Sequence, residues 1–222
     1  MRIAIAGAGN VGRSIARELI DNGHRVMLIE RDSNAVKSGS VAQAEWVEAD
    51  ACELSSLEDA RLQDYDVMIA ATGDDKVNLV ASLLAKTEFG VNRVVARINH
   101  PKNEWMFTDS WGVDVAVSTP RLLAALVEEA VSVGDLVKLM TFRQGQANLV
   151  EITLAGDAPH VGRPVRELDL PRDAALVAIL RGPRVLVPSL DDPLEAGDEL
   201  MFLATDEVER QIHDAVSGRY PD

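Results

Sequence analysis

Three glycines near the start of the sequence have the spacing of a phosphate-binding turn. Gly7, Gly9 and Gly12 follow the apolar residues 3–6 and lead into a segment with helical apolar spacing. In such a turn the first glycine allows the chain to reverse, the second lets a pyrophosphate approach the backbone, and the third lets the helix pack on the strand. The free N–H groups and the positive end of the helix then hold the phosphates. The alternative is that these glycines serve only the turn itself.

A carboxylate follows at the spacing expected for a ribose contact. Glu30 ends the next apolar segment, 18 residues after Gly12, where it can accept hydrogen bonds from a ribose diol. Its charge would repel a 2′-phosphate, which favours NAD or an adenine nucleotide over NADP, although Arg31 beside it weakens that preference. Glu30 could also be a solvated acid at the end of a strand.

Polar residues end three later strands at the same predicted edge of the sheet. Asp50 follows the third strand, Thr72, Gly73 and Asp74 follow the fourth, and Arg97 closes the fifth. Ligands of open α/β sheets bind at the carboxyl ends of the strands. A cation there suits a pyrophosphate or a terminal phosphate, although Arg97 could instead form a surface salt bridge. Asp74 is equally suited to be the N-cap of the next helix.

The sequence holds no evident set of catalytic residues. Its four histidines stand in different segments without metal-ligand spacing, and His100 is the only weak candidate for a proton donor near a nicotinamide. Cys52 has no neighbouring histidine or lysine that would activate it. A G-K-[ST] loop for phosphoryl transfer is absent from the sequence. These features favour a protein that binds a nucleotide without catalysis and without a metal, with a small NAD-dependent oxidoreductase as the alternative.

The composition is that of an ordinary soluble globular protein. Of 222 residues, 47% are hydrophobic and 26% are charged, which excludes disorder for most of the chain. The net charge is −14, shared equally between residues 1–140 and 141–222, so binding to nucleic acid is not expected. The longest apolar run, residues 174–180, is too short to span a membrane, and the apolar start is too short for a signal peptide. We therefore expect a cytoplasmic protein.

Elements that alternate along the first 120 residues would position the candidate side chains. Short apolar strands alternate with segments of helical spacing, which predicts βαβ units. The predicted fold is therefore α/β, a Rossmann-like parallel sheet with helices on both faces. The predicted strands are residues 3–6, 25–30, 44–48, 66–71, 93–98 and 114–117.

A different pattern follows a connecting helix. Thr119 and Pro120 suit the N-cap and first position of this helix, which fades near residues 133–135. We place a domain boundary there, with a nucleotide-binding domain at 1–134 and a small α+β lobe at 135–222. The elements predicted for the lobe are strands at 149–154, 175–180, 184–188 and 200–204, a helical turn at 165–168 and a final helix from 205 to about 216.

The order of these motifs resembles the RCK domain (regulator of K⁺ conductance), the cytosolic gating module of Trk and Ktr potassium uptake systems. The resemblance spans nearly the whole chain. In the first domain it rests on the glycine turn and on the segments LIERD (28–32), EADA (48–51), TGDD (72–75) with Asn78, AR (96–97) and VSTP (117–120). In the second it rests on VGRPV (161–165), residues 168–171 and residues 194–200.

The resemblance implies which residues form the site, and that the nucleotide is a regulator that is not consumed. Glu30 would bind a ribose, with Arg31 beside it, and Asp50 would lie near the adenosine half. The phosphates would lie against the turn and the first residues of the helix, namely Gly7, Ala8, Gly9, Asn10, Val11 and Gly12. The pocket would be completed by Thr72, Gly73, Asp74 and Arg97.

One position departs from the Ktr-like pattern. Ktr-like members often carry an arginine after the second glycine that reaches a terminal phosphate, whereas this chain has Asn10. Arg13 lies three residues further on. The resemblance therefore favours a Trk-like module that responds to NAD(H), with ATP or ADP as the alternative.

The resemblance also implies partners. Modules of this family assemble into dimers and then rings beneath a membrane-embedded Trk/Ktr-type potassium transporter subunit, which would place this chain at the inner face of the membrane. The chain holds one such unit, so a homo-oligomer or a hetero-assembly with a related RCK subunit is expected. Residues 122–131 and the second lobe are the expected self-association surfaces, with the alternative that their apolar stripes belong to the internal core. A module that serves a different channel or antiporter is a further alternative.

Overall fold

The computed structural model of the protein describes residues 1–34, 36, 40–142 and 147–218. The chain forms two compact units, Met1–Arg121 and Leu122–Asp222. The division falls within a helix, and the domain boundary expected between residues 134 and 135 stays a prediction.

The first unit is built on a six-stranded parallel sheet, as the sequence predicted, with the order β3-β2-β1-β4-β5-β6. Its strands are β1 Arg2–Ala6, β2 Arg25–Glu30, β3 Glu45–Glu48, β4 Val67–Ala70, β5 Arg93–Ile98 and β6 Val115–Ser118. β2 and β5 have the predicted bounds. The other strands differ from prediction by one residue at one or both ends, because backbone pairing rather than residue type decides where a strand stops.

Helices cover both faces of this sheet, which confirms the predicted fold class. They are α1 Asn10–Asp21, α2 Leu54–Asp59 and α3 Asp75–Thr87. Ala4 and Met27 enter the core on one face, whereas Ile5 and Leu28 enter the core on the other, and all four side chains are fully buried. Strands covered on both sides need apolar residues at every position, so they appear in the sequence as continuous apolar runs.

The connections that follow β1 and β4 lead to opposite sides of the sheet, which leaves a crevice between the ends of these two strands. β1 and β4 are parallel neighbours, and each is followed by a helix, α1 and α3. β2 lies on the outer side of β1, and β5 lies on the outer side of β4. The carboxyl ends of β1 and β4 therefore form the position at which open α/β sheets bind ligands.

The second unit carries a five-stranded antiparallel sheet with the order β10-β9-β11-β8-β7. Its strands are β7 Leu136–Phe142, β8 Ala147–Thr153, β9 Ala174–Arg181, β10 Arg184–Leu186 and β11 Glu199–Ala204, and α5 spans Glu209–Ser217. Ile152, Ile179 and Phe202 form the centre of its core and are fully buried. Within the described ranges, none of the helices combines the length and apolar character that crossing a bilayer requires.

Two features near the middle of the chain differ from the sequence analysis. β7 was not predicted, because four of its seven residues are exposed and its register against β8 shifts between Lys138 and Met140, so its residues do not alternate cleanly. The helix α4 spans Thr119–Val131 and begins at Thr119 itself. Thr119 is therefore the first helical residue rather than the predicted N-cap.

Candidate functional site

Two glycines of the amino-terminal turn are required by the fold itself. Gly7 has φ +95°, and a Cβ there would lie 2.8 Å from the Cα of Thr72. Its N–H donates to the Ile29 carbonyl at 2.9 Å, which fixes the turn against β2. A Cβ on Gly12 would lie 1.9 Å from the Gly7 carbonyl oxygen, so α1 can approach the turn only without a side chain at this position.

Gly9 and Gly73 are explained by neither backbone strain nor packing. Gly9 precedes α1 with φ −68°, which any residue can adopt, and a Cβ there would have no neighbour within 4 Å among the described residues. A Cβ on Gly73 would also meet nothing within 4 Å. Both glycines line the same cavity of about 640 Å³. The fold alone does not require a glycine at either position, whereas a ligand lying against the backbone would.

This cavity brings together most of the residues predicted from the sequence. It lies at the carboxyl ends of the strands, above the crevice between β1 and β4. The predicted residues that line it are Gly7, Gly9, Asn10, Val11, Glu30, Arg31, Asp50, Thr72, Gly73, Asp74 and Arg97. Ala8 and Gly12 do not line it, because Ala8 is fully buried behind the turn and Gly12 packs on the Gly7 carbonyl.

The first turn of α1 offers hydrogen-bond donors to the cavity. The helix begins at Asn10, and no side chain caps it. The first N–H groups of a helix have no acceptor within the helix, so those of Asn10 and Val11 can donate to an anion. The Asn10 amide oxygen accepts a hydrogen bond from Arg13 Nη2 at 3.1 Å, which keeps this arginine close to the same helix end.

Glu30 is fixed by the backbone on two sides. The Ala8 N–H donates to Oε2 at 2.9 Å, and the Asp32 N–H donates to Oε1 at 3.1 Å. Ala8 therefore orients Glu30, and its N–H is engaged by that carboxylate. A carboxylate can accept about four hydrogen bonds, so Glu30 keeps acceptor capacity for two hydroxyl groups.

Asp50 and Arg31 face each other at one wall of the cavity. Asp50 Oδ1 accepts from the Cys52 N–H at 2.9 Å, and Asp50 Oδ2 lies 3.5 Å from Arg31 Nη1. Burial, followed by the charge of Asp50, raises the pKa of the Cys52 thiol. The thiol is therefore protonated near neutral pH and is a poor nucleophile.

Asn78 joins two walls of the cavity and was not among the residues predicted for the site. It is fully buried, and its Oδ1 accepts from the Thr72 N–H at 2.9 Å and from the Thr72 hydroxyl at 2.6 Å. Its Nδ2 donates to the Arg97 carbonyl at 2.8 Å. This one amide therefore sets the spacing between the ends of β4 and β5. An asparagine one turn into a helix that follows a strand-end Thr-Gly pair was the signal available in the sequence.

Asp75 belongs to the strand-end segment 72–75 noted in the sequence, but its role in holding the segment after β5 was not predicted. Its carboxylate accepts from the Asn99 N–H at 2.6 Å, the His100 N–H at 3.0 Å and the Asn103 side chain at 2.7 Å. Burial opposes ionisation, but these hydrogen bonds outweigh it and lower the pKa of the Asp75 carboxyl. Asp74 beside it accepts from the Lys76 N–H at 2.8 Å and is the N-cap of α3. The sequence did not distinguish the roles of these adjacent aspartates.

Arg97 supplies a half-buried cation at the far wall of the cavity. Its Nε donates to the Thr119 hydroxyl at 3.2 Å. Among the described residues no carboxylate forms an ion pair with it, in contrast to the alternative considered from the sequence. His100, the weak proton-donor candidate, does not line the cavity, and its Nδ1 accepts from the Lys102 N–H at 3.2 Å.

Two protein-family models match the chain, in the same order as the predicted nucleotide-binding domain and the predicted small lobe. The TrkA-N domain matches residues 3–119, and the TrkA-C domain matches residues 149–216. The first match contains every residue that lines the cavity.

Similarity to individual proteins supports the TrkA-N and TrkA-C matches. The chain is 64% identical over 212 residues to the Trk system potassium uptake protein TrkA of Mycobacterium tuberculosis, and the match covers 96% of each chain. Among solved structures, the GsuK channel bound to NAD matches 100% of this chain and 40% of its own, with a TM-score of 0.69 and 16% identity. GsuK bound to ADP matches 58% of this chain and 34% of its own, with a TM-score of 0.50 and 26% identity. The chain therefore belongs to the TrkA family of Trk system potassium uptake proteins.

Proposed function

We propose that this protein is a regulatory subunit of a potassium uptake system whose first unit binds NAD(H) or an adenine nucleotide as an effector. The observation that carries the proposal is Gly9. This residue stands at the start of α1 with an ordinary φ and open space at its Cβ among the described residues. It lines a cavity beside the first N–H groups of α1, which have no acceptor within the helix. A phosphate that contacts this backbone would explain why no side chain is present.

The cavity suggests how the ligand lies. The adenosine ribose would contact Glu30, and Asp50 would lie near the adenosine half. The phosphates would lie against Gly9 and the first turn of α1, and the distal part would reach Gly73 and Arg97. Glu30 disfavours a 2′-phosphate, which supports NAD(H) over NADP(H). ADP in a related structure of 26% identity supports adenine nucleotides as further candidates.

The nucleotide would act as a signal and would leave chemically unchanged. Hydride transfer needs a proton donor beside the nicotinamide, and the described residues that line the cavity do not include a histidine, lysine or tyrosine. The thiol of Cys52 is held in its protonated form by burial and by Asp50. Relatives of this chain are named as potassium uptake proteins, which supports a regulatory role over an enzymatic one.

The protein would act from the cytoplasmic side, bound to a membrane-embedded Trk/Ktr-type transporter subunit. Copies of the chain, or this chain with a related RCK subunit, would form dimers and then a ring. Leu123, Leu126 and Val131 of α4 support self-association, because their side chains are 63%, 51% and 76% exposed in the single chain. Nucleotide binding would favour one arrangement of the ring over another, which requires different affinities for the two states.

The proposal is tested by equilibrium dialysis of NADH and ADP against the wild-type protein and the Gly9→Val variant. Gly156→Val is the matched control, because Gly156 is also exposed with open space at its Cβ and an ordinary φ, but lies in the second unit. We expect saturable binding by the wild type and by the control, and at least about a hundredfold loss for Gly9→Val, because the valine would displace the pyrophosphate. Equal binding by all three proteins would show that the cavity is assigned wrongly.

A further inference from the structure

The guanidinium of Arg97 is only partly engaged by the protein. Arg97 is half-buried, and its Nε donates to the Thr119 hydroxyl at 3.2 Å. Neither Nη group of Arg97 has an acceptor within the part of the chain that the structure describes. A guanidinium has five N–H donors in a planar fork, so four of them are available. Because Arg97 lines the cavity, these donors can serve a ligand in it.

Arg97 lies far from the residue that would hold the adenosine ribose. Glu30 ends β2 and Arg97 stands near the end of β5, with β1 and β4 between them. Three strand spacings separate the two backbones by about 14 Å, and the two long side chains shorten that span. A ligand with its ribose at Glu30 would therefore present Arg97 with its distal end. For an adenine nucleotide, that end is the second or third phosphate.

Thr119 restricts the orientation of the Arg97 guanidinium. An arginine side chain has four rotatable bonds, and a free one would lose much of its freedom on binding a phosphate. The hydrogen bond from Nε to Thr119 restrains the guanidinium and leaves the N–H groups of both Nη atoms for a ligand. Such preorganisation favours binding because the ordering cost is met before the ligand arrives.

We propose that Thr119 is a positioning residue that orients Arg97 toward the distal phosphate, and so sets a preference for ADP and ATP over AMP. This inference rests on the proposed function, because it assumes that the cavity binds adenine nucleotides. Thr119 is also the first residue of α4, the helix within which the chain passes from the first unit to the second. Through Arg97, the start of this helix would be linked to a bound phosphate.

The test compares the affinities for AMP and ADP, measured by calorimetry, in three variants. Thr119→Val removes the hydroxyl but keeps the shape, and Thr119→Ser restores the hydroxyl. Ser118→Ala is the matched control, because this neighbouring hydroxyl is buried without a hydrogen-bond partner among the described residues. We expect Thr119→Val to weaken ADP binding about fivefold to tenfold and AMP binding less than about twofold, as for the loss of one charge-assisted contact. Thr119→Ser and Ser118→Ala should retain the wild-type ratio.

The outcomes separate this inference from the proposed function. Equal weakening of AMP and ADP by Thr119→Val, or no weakening of either, would overturn the positioning role while leaving nucleotide binding intact. A wild-type protein that binds neither AMP nor ADP would overturn this inference, and one that also fails to bind NADH would overturn the proposed function with it. Should Thr119→Val fail to fold, Thr119→Ala gives the same test, because it also removes the hydroxyl that accepts from Arg97 Nε. It should lose affinity for ADP but not for AMP.

Discussion

At the scale of single residues, the glycines of the amino-terminal turn fall into two groups. Gly7 and Gly12 are required by the fold, since a Cβ at either position would meet backbone atoms at 2.8 Å and 1.9 Å. Gly9 and Gly73 face open space in a cavity. The same residue type therefore serves structure at two positions and, on the proposed function, ligand binding at two others.

This division predicts that an alanine will lower the free energy of unfolding much more at Gly12 than at Gly9. Gly12→Ala should lower the free energy of unfolding by about 2 kcal/mol or more, because α1 must move away from the Gly7 carbonyl. Gly9→Ala should change it by less than about 1 kcal/mol, because its Cβ would meet no neighbour. Urea unfolding of both variants measures the difference. Similar losses for the two would contradict the assignment of the two groups.

The buried carboxylate of Asp75 makes a pH-dependent prediction. Its lowered pKa means that it stabilises the fold above the ordinary aspartate value of about 4, and that this stability is lost as the pH falls through the folded pKa. Asp75→Asn should therefore cost about 2–3 kcal/mol at pH 7, and the deficit should shrink below pH about 4.

Urea unfolding between pH 7 and pH 3 measures this dependence. Asp59→Asn is the control, because Asp59 is exposed in α2 and should cost less than about 0.5 kcal/mol at every pH. A deficit for Asp75→Asn that stays constant with pH would show that the charge of Asp75 does not stabilise the fold.

Much of the candidate site was predictable from residue type and position. Gly9, Glu30 and Arg97 follow parallel strands, so a known rule places them at one edge of the sheet. Asn78 and Asp75 were missed because their roles depend on which backbone groups of another strand lie within reach. That information is three-dimensional, and the amino-acid types alone do not contain it.

At the scale of elements, the backbone just after α2 is strained at one residue. Arg61 is the only residue other than glycine with a positive φ among those described, at 54°, and it follows α2 where glycine is usual. Arg61→Gly should raise the free energy of unfolding by about 0.5–1 kcal/mol, because relief of the strain exceeds the loss of the exposed ion pair with Asp64.

Arg61→Ala separates the effect of backbone strain from the effect of the ion pair with Asp64. It removes the same ion pair but keeps a Cβ in the left-handed conformation. We expect it to be slightly less stable than the wild type in urea unfolding. If the glycine and alanine variants were equally stable, backbone strain at this position would be refuted.

The elements themselves were predictable to different degrees. β2 has four consecutive buried apolar residues and β5 has buried apolar residues at every second position, and the predicted bounds of both strands were confirmed. β7 was missed because it is an edge strand with one buried residue and an interrupted register, so its sequence lacks a clear period. The predicted start of α4 was wrong by one residue, because helix ends depend on backbone conformation as well as residue type.

At the scale of the whole molecule, assembly through α4 is the next prediction. Leu123→Glu places a charge on the exposed apolar face of this helix and should shift the protein toward the monomer, because burying an unpaired carboxylate at an interface is costly. Light scattering after size-exclusion chromatography measures the mass. Val185→Glu is the control, since Val185 is 73% exposed in β10 of the second unit. An unchanged mass for Leu123→Glu would contradict assembly through α4.

The central claim is that a nucleotide binds in the first unit and is released unchanged. Its most direct test is a calorimetric titration of the wild-type protein with NADH, followed by chromatographic recovery of the ligand after prolonged incubation. We predict saturable binding with one molecule per chain and quantitative recovery of intact NADH. Steady conversion of the NADH, or the absence of any binding of NADH, ADP or ATP, would contradict the account.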